Sequence, residues 1–392
     1  MAKSSKIYEL MLKIGAKQDS SLKKACADAD KNLSKLSKSA KAVGKVVAGA
    51  SIAVATTVAT AGVAAVKSGI DYQKQLANVS TLLTGTEAEI SARTAEIGKD
   101  ILKVSNDTGV ETANLTDGMY QVISAFGDSK DAMGILETSA KAAAAGNATT
   151  TDSVNLLSAV MKGYNDVSEE SAQKAADLSF ATVRLGQTSF SELASSIGKV
   201  VPLSSALNVQ QEELYGVFAT LTGVTGSTAE VATQYKAVLS GLMTPSKDMA
   251  ASLKKLGFST ADAAIKSLGF QGTLEALKGT VHGDEQAMAK LFSSTEAQTA
   301  VLAMCGAQSE NLTAKTAEMY TATGAANAAF EKQTDTLDYD IQMIKNLGAN
   351  FLTEIGTKII PYVKDLADAA LPRVQSGLEA AGSYVIGTLI PA

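Results

Sequence analysis

Residues 207–230 read Leu-Asn-Val-Gln-Gln-Glu-Glu-Leu-Tyr-Gly-Val-Phe-Ala-Thr-Leu-Thr-Gly-Val-Thr-Gly-Ser-Thr-Ala-Glu. Apolar side chains recur at Leu214, Val217, Phe218 and Leu221, the three-and-four spacing that lines one face of an α-helix. Asn208 with Gln211 reads as a capping pair before this run, and Gly223 as its stop. Four residues later Ser227-x-x-Glu230 opens another helix. Such a pair satisfies two amides of a helix start, the hydroxyl accepting from one and the carboxylate reaching back to the other.

The same grammar extends outward in both directions. Thr86-x-x-Glu89, Thr108-x-x-Glu111, Ser189-x-x-Glu192 and Ser293-x-x-Glu296 fit capping boxes. Gly109, Gly127, Gly146, Gly186 and Gly257 fit helix stops, since glycine tolerates the left-handed conformation that closes a helix. Leu178, Ala181, Thr182 and Leu185 repeat the helical spacing, and no stretch combines strand alternation with hairpin turns. About ten helices of roughly 11–18 residues are expected between Gly69 and Phe330, and the fold class is all-α. Composition agrees. Hydrophobic residues are 46% and aromatics 5%, with no Trp, so thin helices packed closely suit the chain better than one thick core. Only five Pro occur and the first is Pro202, which leaves two hundred residues without the strongest helix breaker.

Four regions follow. Residues 1–45 form a basic arm: eleven Lys against four acids give +7, leaving −12 on the rest of a chain whose net charge is −5. Along it Leu22, Cys26, Ala29, Leu33, Leu36, Ala40 and Val43 step by four and three, a heptad seam that places a coiled-coil-like helix against another copy of itself. Its lysines are spaced along the helix, as on a solvated face, although such asymmetry also marks arms that meet nucleic acid or membrane.

Residues 46–67 hold 21 consecutive positions without charge, Val46 to Val66. A helix of that length reaches about 30 Å, the thickness of a hydrocarbon layer. Val46, Val47, Ile52, Val54, Val58, Val63 and Val66 are its candidate inserting side chains, but Ala, Gly and Thr make it only marginally apolar. It reads as a helix buried in an assembly or inserted conditionally in a membrane, with strand and permanent anchor as lesser readings. Residues 68–333 are the multi-helix core. Residues 334–392 carry an apolar stripe of Leu337, Ile341, Ile344, Leu347, Phe351, Leu352, Ile355, Ile359 and Val363, expected to face a core as in ordinary amphipathic helices, with a partner helix or a membrane surface as the lesser reading. An end at Ile-Pro-Ala directly after it suits a short chain or a piece of a longer one.

Catalytic chemistry finds little to work with. His282 is the single histidine, so His triads and multi-His metal sites are excluded. Cys26 and Cys305 are far apart, without disulfide or metal spacing, and Cys305 in Val301–Cys305 reads as a small buried apolar residue. The carboxylate pairs Glu169–Glu170, Glu212–Glu213 and Asp338–Asp340 fall near helix starts, where acids favour the dipole. Neither phosphate-loop nor dinucleotide fingerprint occurs. Met1–Leu12 shows no signal peptide, so the Asn-x-Ser/Thr triplets at Asn78, Asn106, Asn114, Asn147 and Asn311 are taken as chance. A non-enzyme without cofactor or metal is expected.

The core also carries a resemblance. Gly69-Ile-Asp-Tyr-Gln-Lys-Gln-Leu-Ala-Asn-Val-Ser80 with Leu83-Thr-Gly85 resembles the opening of the core of phage tail tape measure proteins. Ala95-Glu-Ile-Gly98 with Val110-Glu111 comes next in that family's order. Ala140–Ala145, Ser189–Gly198 leading to Val201-Pro202, Leu207-Asn208, Leu221-Thr-Gly-Val-Thr-Gly226, Leu242-Met-Thr-Pro-Ser246 and Leu253-Lys-Lys-Leu-Gly-Phe258 follow in that family's order, over about residues 69–300. Tyr72, Gly85, Gly226, Pro245 and Gly257 are the structural positions it singles out. Val231-Ala-Thr-Gln-Tyr235 departs from it, standing where the family often has a Gly-Thr-hydrophobic-Arg stretch.

The resemblance implies an extended, parallel homo-oligomer in the lumen of a tail tube, whose length sets tube length. Its implied partners are tube and tail-tip or baseplate proteins, tail assembly chaperones in the host cytoplasm and the host membrane at ejection, with no specific nucleic acid. An all-helical chain of this size would reach roughly 590 Å. A membrane-permeabilising helical toxin or secreted effector, and a cytosolic coiled-coil scaffold, remain alternative readings of the apolar segment, the stripe and the seam.

Overall fold

The computed structural model describes residues 58–361, with side chains from Ala64 onward. The heptad seam Leu22–Val43, the positions Val46, Val47, Ile52 and Val54, the side chains of Val58 and Val63, and the stripe's Val363 lie outside this description. Two compact units are present. One is Tyr72–Asn350, and the other includes the described residues 58–71 and 351–361.

The described residues form helices and no strand. In chain order they are α1 (Val58–Ser80), α2 (Glu87–Thr108), α3 (Thr112–Phe126), α4 (Ala132–Gly146), α5 (Thr150–Gly163), α6 (Glu169–Leu185), α7 (Phe190–Ser196), α8 (Val201–Ala206) and α9 (Gln211–Leu221). Then come α10 (Thr228–Met243), α11 (Lys247–Lys255), α12 (Ala261–Thr280), α13 (Glu285–Lys290), α14 (Thr295–Cys305), α15 (Ser309–Met319), α16 (Ala325–Thr334) and α17 over 337–361. The helices are more numerous than expected and range from 6 residues in α8 to 25 in α17. Connections as short as the three residues 147–149 suffice between them, and periodicity alone merges such neighbours.

Local caps explain several boundaries. Thr86 and Glu89 close a full capping box on α2, and Ser189 and Glu192 another on α7. Ser227 accepts the Glu230 amide at the start of α10. Three expected caps are displaced. Thr108 ends α2 instead of starting a helix; its hydroxyl donates back to the Val104 carbonyl at 2.7 Å. Ser294, one residue beyond Ser293, caps α14 through the Ala297 amide at 3.1 Å. Asn208 stands at φ 58, and Gln210 is the cap of α9, its amide donating to Glu213 at 3.3 Å. Among the stops, Gly109 takes the left-handed conformation (φ 66) and donates its amide to Ser105 O. After α4 that conformation belongs to Asn147 (φ 50) and not to Gly146, and Thr222 caps α9 ahead of Gly223.

Inside Tyr72–Asn350 the opening stretch is also the centre. Every residue of α9 is buried, and α6, α10, α14 and α15 surround it. A helix apolar on one stripe only would leave a polar face to water; α9 instead hides its polar face too, so Glu212 and Glu213 must find partners. Gly216 lets α15 approach, for a β-carbon there would lie 2.3 Å from Thr316 Oγ1. Phe218, Tyr235 and Phe270 form an edge-to-face ladder beside it, with ring centroids 6.4 and 5.5 Å apart. Toward the other end of the unit α2 to α6 pack on one another and on α16.

The stripe expected to face a core does not do so along α17. Leu337 is 56% and Ile344 40% exposed, and Leu347 is half-buried, whereas Asn346 and Asn350 are buried. The reason lies at the end of α2, whose last carbonyls have no partner in their own helix. Asn346 Nδ2 donates to Gly109 O, and Tyr339 OH to Thr108 O at 2.6 Å. Asn350 Nδ2 donates to Ser105 Oγ and Asn106 Oδ1, both at 2.8 Å. In this helix the hydrogen-bonding Asn346 and Asn350 take the buried positions, Leu337 and Ile344 turn outward, and Ile341, Leu347, Phe351, Leu352, Ile355 and Ile359 are half-buried.

Within the other unit α1 and α17 cross at glycine. A β-carbon on Gly356 would lie 1.8 Å from Ala65 O and 2.9 Å from Gly69 N; one on Gly69 would lie 2.6 Å from Gly356 C. Only two chains without side chains at the contact can come so close.

Candidate functional site

Two buried carboxylates organise the interior. Glu213 Oε1 accepts the amides of Phe270 at 2.6 Å and Gln271 at 3.3 Å. These amides are free because α12 is broken at Gly269, whose φ of 77 and ψ of 169 interrupt the helix and restart it at Phe270. Glu213 is therefore a cap supplied from another helix. Burial raises its carboxyl above the usual glutamate range, while the three amides it accepts oppose the shift. The adjacent Glu212 pairs with Lys174 Nζ at 2.8 Å. The second carboxylate is Asp177 on α6: its oxygens accept the amides of Gly324 and Ala326, both at 2.9 Å, and Gln173 Nε2 at 3.1 Å. It caps α16 from 147 residues away in sequence. Glu212 and Glu213 stand in the first turn of α9, the helix-start position their sequence suggested, but their remote partners, and the role of Asp177, left no local signal.

The positions singled out by the resemblance fall at a buried hydroxyl, three positive-φ glycines and an exposed turn. Tyr72 is buried and its hydroxyl donates to Gly98 O at 2.6 Å, joining α1 to α2. A β-carbon at Gly98 would meet Leu76 Cδ1 at 2.8 Å. Gly85, Gly226 and Gly257 have φ of 139, 138 and 88, which side chains resist. Pro245 is exposed in the turn between α10 and α11. Val66 is half-buried on α1. No helix among the described residues is long and apolar enough to cross a membrane.

Two surface hollows are lined by polar side chains. One, of about 640 Å³, is lined by Glu275, Lys278, Cys305 and Glu310 among others. Lys278 Nζ donates to Cys305 O at 2.7 Å and approaches Glu285 at 3.5 Å. Burial pushes the Cys305 thiol up to about 12 in spite of Lys278, so it is a thiol and not a thiolate nucleophile at neutral pH. The other, of about 430 Å³, is lined by hydroxyls of Thr233, Ser240, Thr244, Ser246, Ser293 and Ser294 with Lys236 and Glu296. Its hydroxyls have no histidine to activate them, for His282 lies elsewhere in the turn after α12. No cluster of three or more His, Cys, Asp or Glu able to hold a metal occurs among the described residues.

What the geometry defines is an all-α protein in which buried carboxylates and amide side chains join helices distant in sequence. Residues 98–303 match the phage-related minor tail protein family, and the chain belongs to that family. It is also similar to a probable tape measure protein of Clostridium phage phiCD119, 24% identical over 339 residues, which are 83% of this chain and 35% of that protein. The resemblance to tape measure proteins is thereby borne out, and family membership gives a structural role in the phage tail. The chain spans about a third of the length of that curated relative. No solved structure matches it.

Proposed function

We propose that the chain is the tape-measuring part of a phage tail: a ruler in the lumen of the tube that sets tube length and then helps the genome across the host envelope. The observation that carries this is the similarity to a probable tape measure protein over 83% of the chain, running through the capped-helix core. The reading is non-catalytic. Its physical basis is that a helix advances 1.5 Å per residue, so residues convert to distance. The heptad-patterned arm, Leu22 to Val43, supplies the self-association of such a ruler, and the partners are tube, tail-tip and chaperone proteins. Duplicating residues 16–43 in the phage gene adds 28 residues and keeps the seam in register. Tails measured by electron microscopy should lengthen by about 42 Å; unchanged tails would refute the ruler.

Delivery of the genome rests on Val46–Val66. The full chain should release dye from vesicles, and Ile52→Lys with Val58→Lys should reduce that release at least about tenfold, because a lysine at the centre of a membrane helix costs a few kcal/mol. Equal leakage from both proteins would remove the segment from this role.

A further inference from the structure

The tape-measure reading converts residues to length, and the crossing of α1 with α17 limits which residues can count. Gly69 and Gly356 are in backbone contact, flanked by Ala65. Ala65 and Gly69 are spaced by four, the pattern of small residues that lets helices approach most closely. Residues 70–355, 286 in all, leave this point and return to it. Run out as a single helix they would cover about 430 Å. Their ends are instead brought within the separation of two packed helices, about 8–10 Å or less.

The return is fastened a second time, inside Tyr72–Asn350. Tyr339, Asn346 and Asn350 bind the last turn of α2 through Thr108 O, Gly109 O, Ser105 Oγ and Asn106 Oδ1. These bonds join positions 231 to 245 residues apart. Asp177 closes a further circuit by capping α16. A chain stretched along a tube would have to break all of these, leaving buried donors and acceptors without partners.

We infer that residues 70–355 are a closed excursion that adds no axial length, and that the length-setting residues of this protein lie outside 69–356. This rests on the ruler reading. The core would then be a module carried by the ruler instead of a part of its scale.

The experiment compares two phages with the wild type. One carries the duplication of residues 16–43; the other carries the same 28 residues inserted after Ser259, in the exposed turn between α11 and α12. The expected result is longer tails by about 42 Å for the first and wild-type length for the second. Equal lengthening in both overturns the closed core and leaves the ruler standing. No change in either overturns the ruler itself, and this inference with it. Should the Ser259 insertion abolish tails, lysine cross-linking of wild-type virions decides. Lys67 and Lys358, each two residues from a crossing glycine and both exposed, should be joined. Their absence from the cross-links, when lysine pairs within Tyr72–Asn350 are found, overturns the closure.

Discussion

Glu213 shows what a single side chain does here. It lies in a helix with no exposed residue and still accepts three amides, two of them released by the break at Gly269. Burial, reinforced by Glu212, makes the folded carboxyl easier to protonate than the unfolded one, whose ordinary value is 4.5. The folded state therefore binds more protons, so this group's contribution is intact below 4.5 and is lost as pH rises through the raised folded value. Glu213→Gln keeps an acceptor oxygen and removes the titration. From pH 4.5 upward its urea midpoint should fall less than that of the wild type; parallel pH profiles would show that burial does not govern this carboxyl. The acidic pair was visible in the sequence, but not its task. Phe270 lies 57 residues away, and no periodicity links a carboxylate to an amide freed by a kink.

At the scale of the helix, capping and close approach decide the arrangement. Hydroxyl–carboxylate boxes predicted from sequence are realised at Thr86 and Ser189, because both partners lie within one turn. Where two candidates adjoin, as Ser293 and Ser294, the pattern is degenerate to one residue and packing selects. Gly216 illustrates approach. Gly216→Val would set a branched side chain against Thr316, 2.3 Å from Oγ1 and 3.1 Å from Cα. We expect a loss of about 1–3 kcal/mol by thermal or urea unfolding, typical of overpacking. Thr316→Ala in the same chain should restore part of it, and no restoration would place the strain elsewhere. On α17 the helical period was right and the orientation was not. Amphipathicity identifies two faces, but the acceptors that claim the polar one are the Thr108 and Gly109 carbonyls and the side-chain oxygens of Ser105 and Asn106, more than two hundred residues earlier.

For the whole molecule, the path of the chain matters more than the number of its helices. The crossing at Gly69 and Gly356 makes that path return, and Gly356→Leu, which sets a side chain where Ala65 O would be 1.8 Å from its β-carbon, should force it open. The expected outcome is loss of the Lys67–Lys358 cross-link with helix content by circular dichroism unchanged; a retained cross-link would mean that α1 and α17 are held by other contacts. The sequence by itself determined the helical class, many helix starts, the poverty of catalytic groups and the family resemblance. All of these depend on neighbours within a turn or two, or on composition. Tertiary structure alone decided which acids are buried caps, which face of α17 turns inward, and that residues 69 and 356 meet. Each of these pairs groups tens to hundreds of residues apart, where the energy comes from satisfying a particular buried amide, carbonyl or bare backbone, and local spacing carries no record of which one.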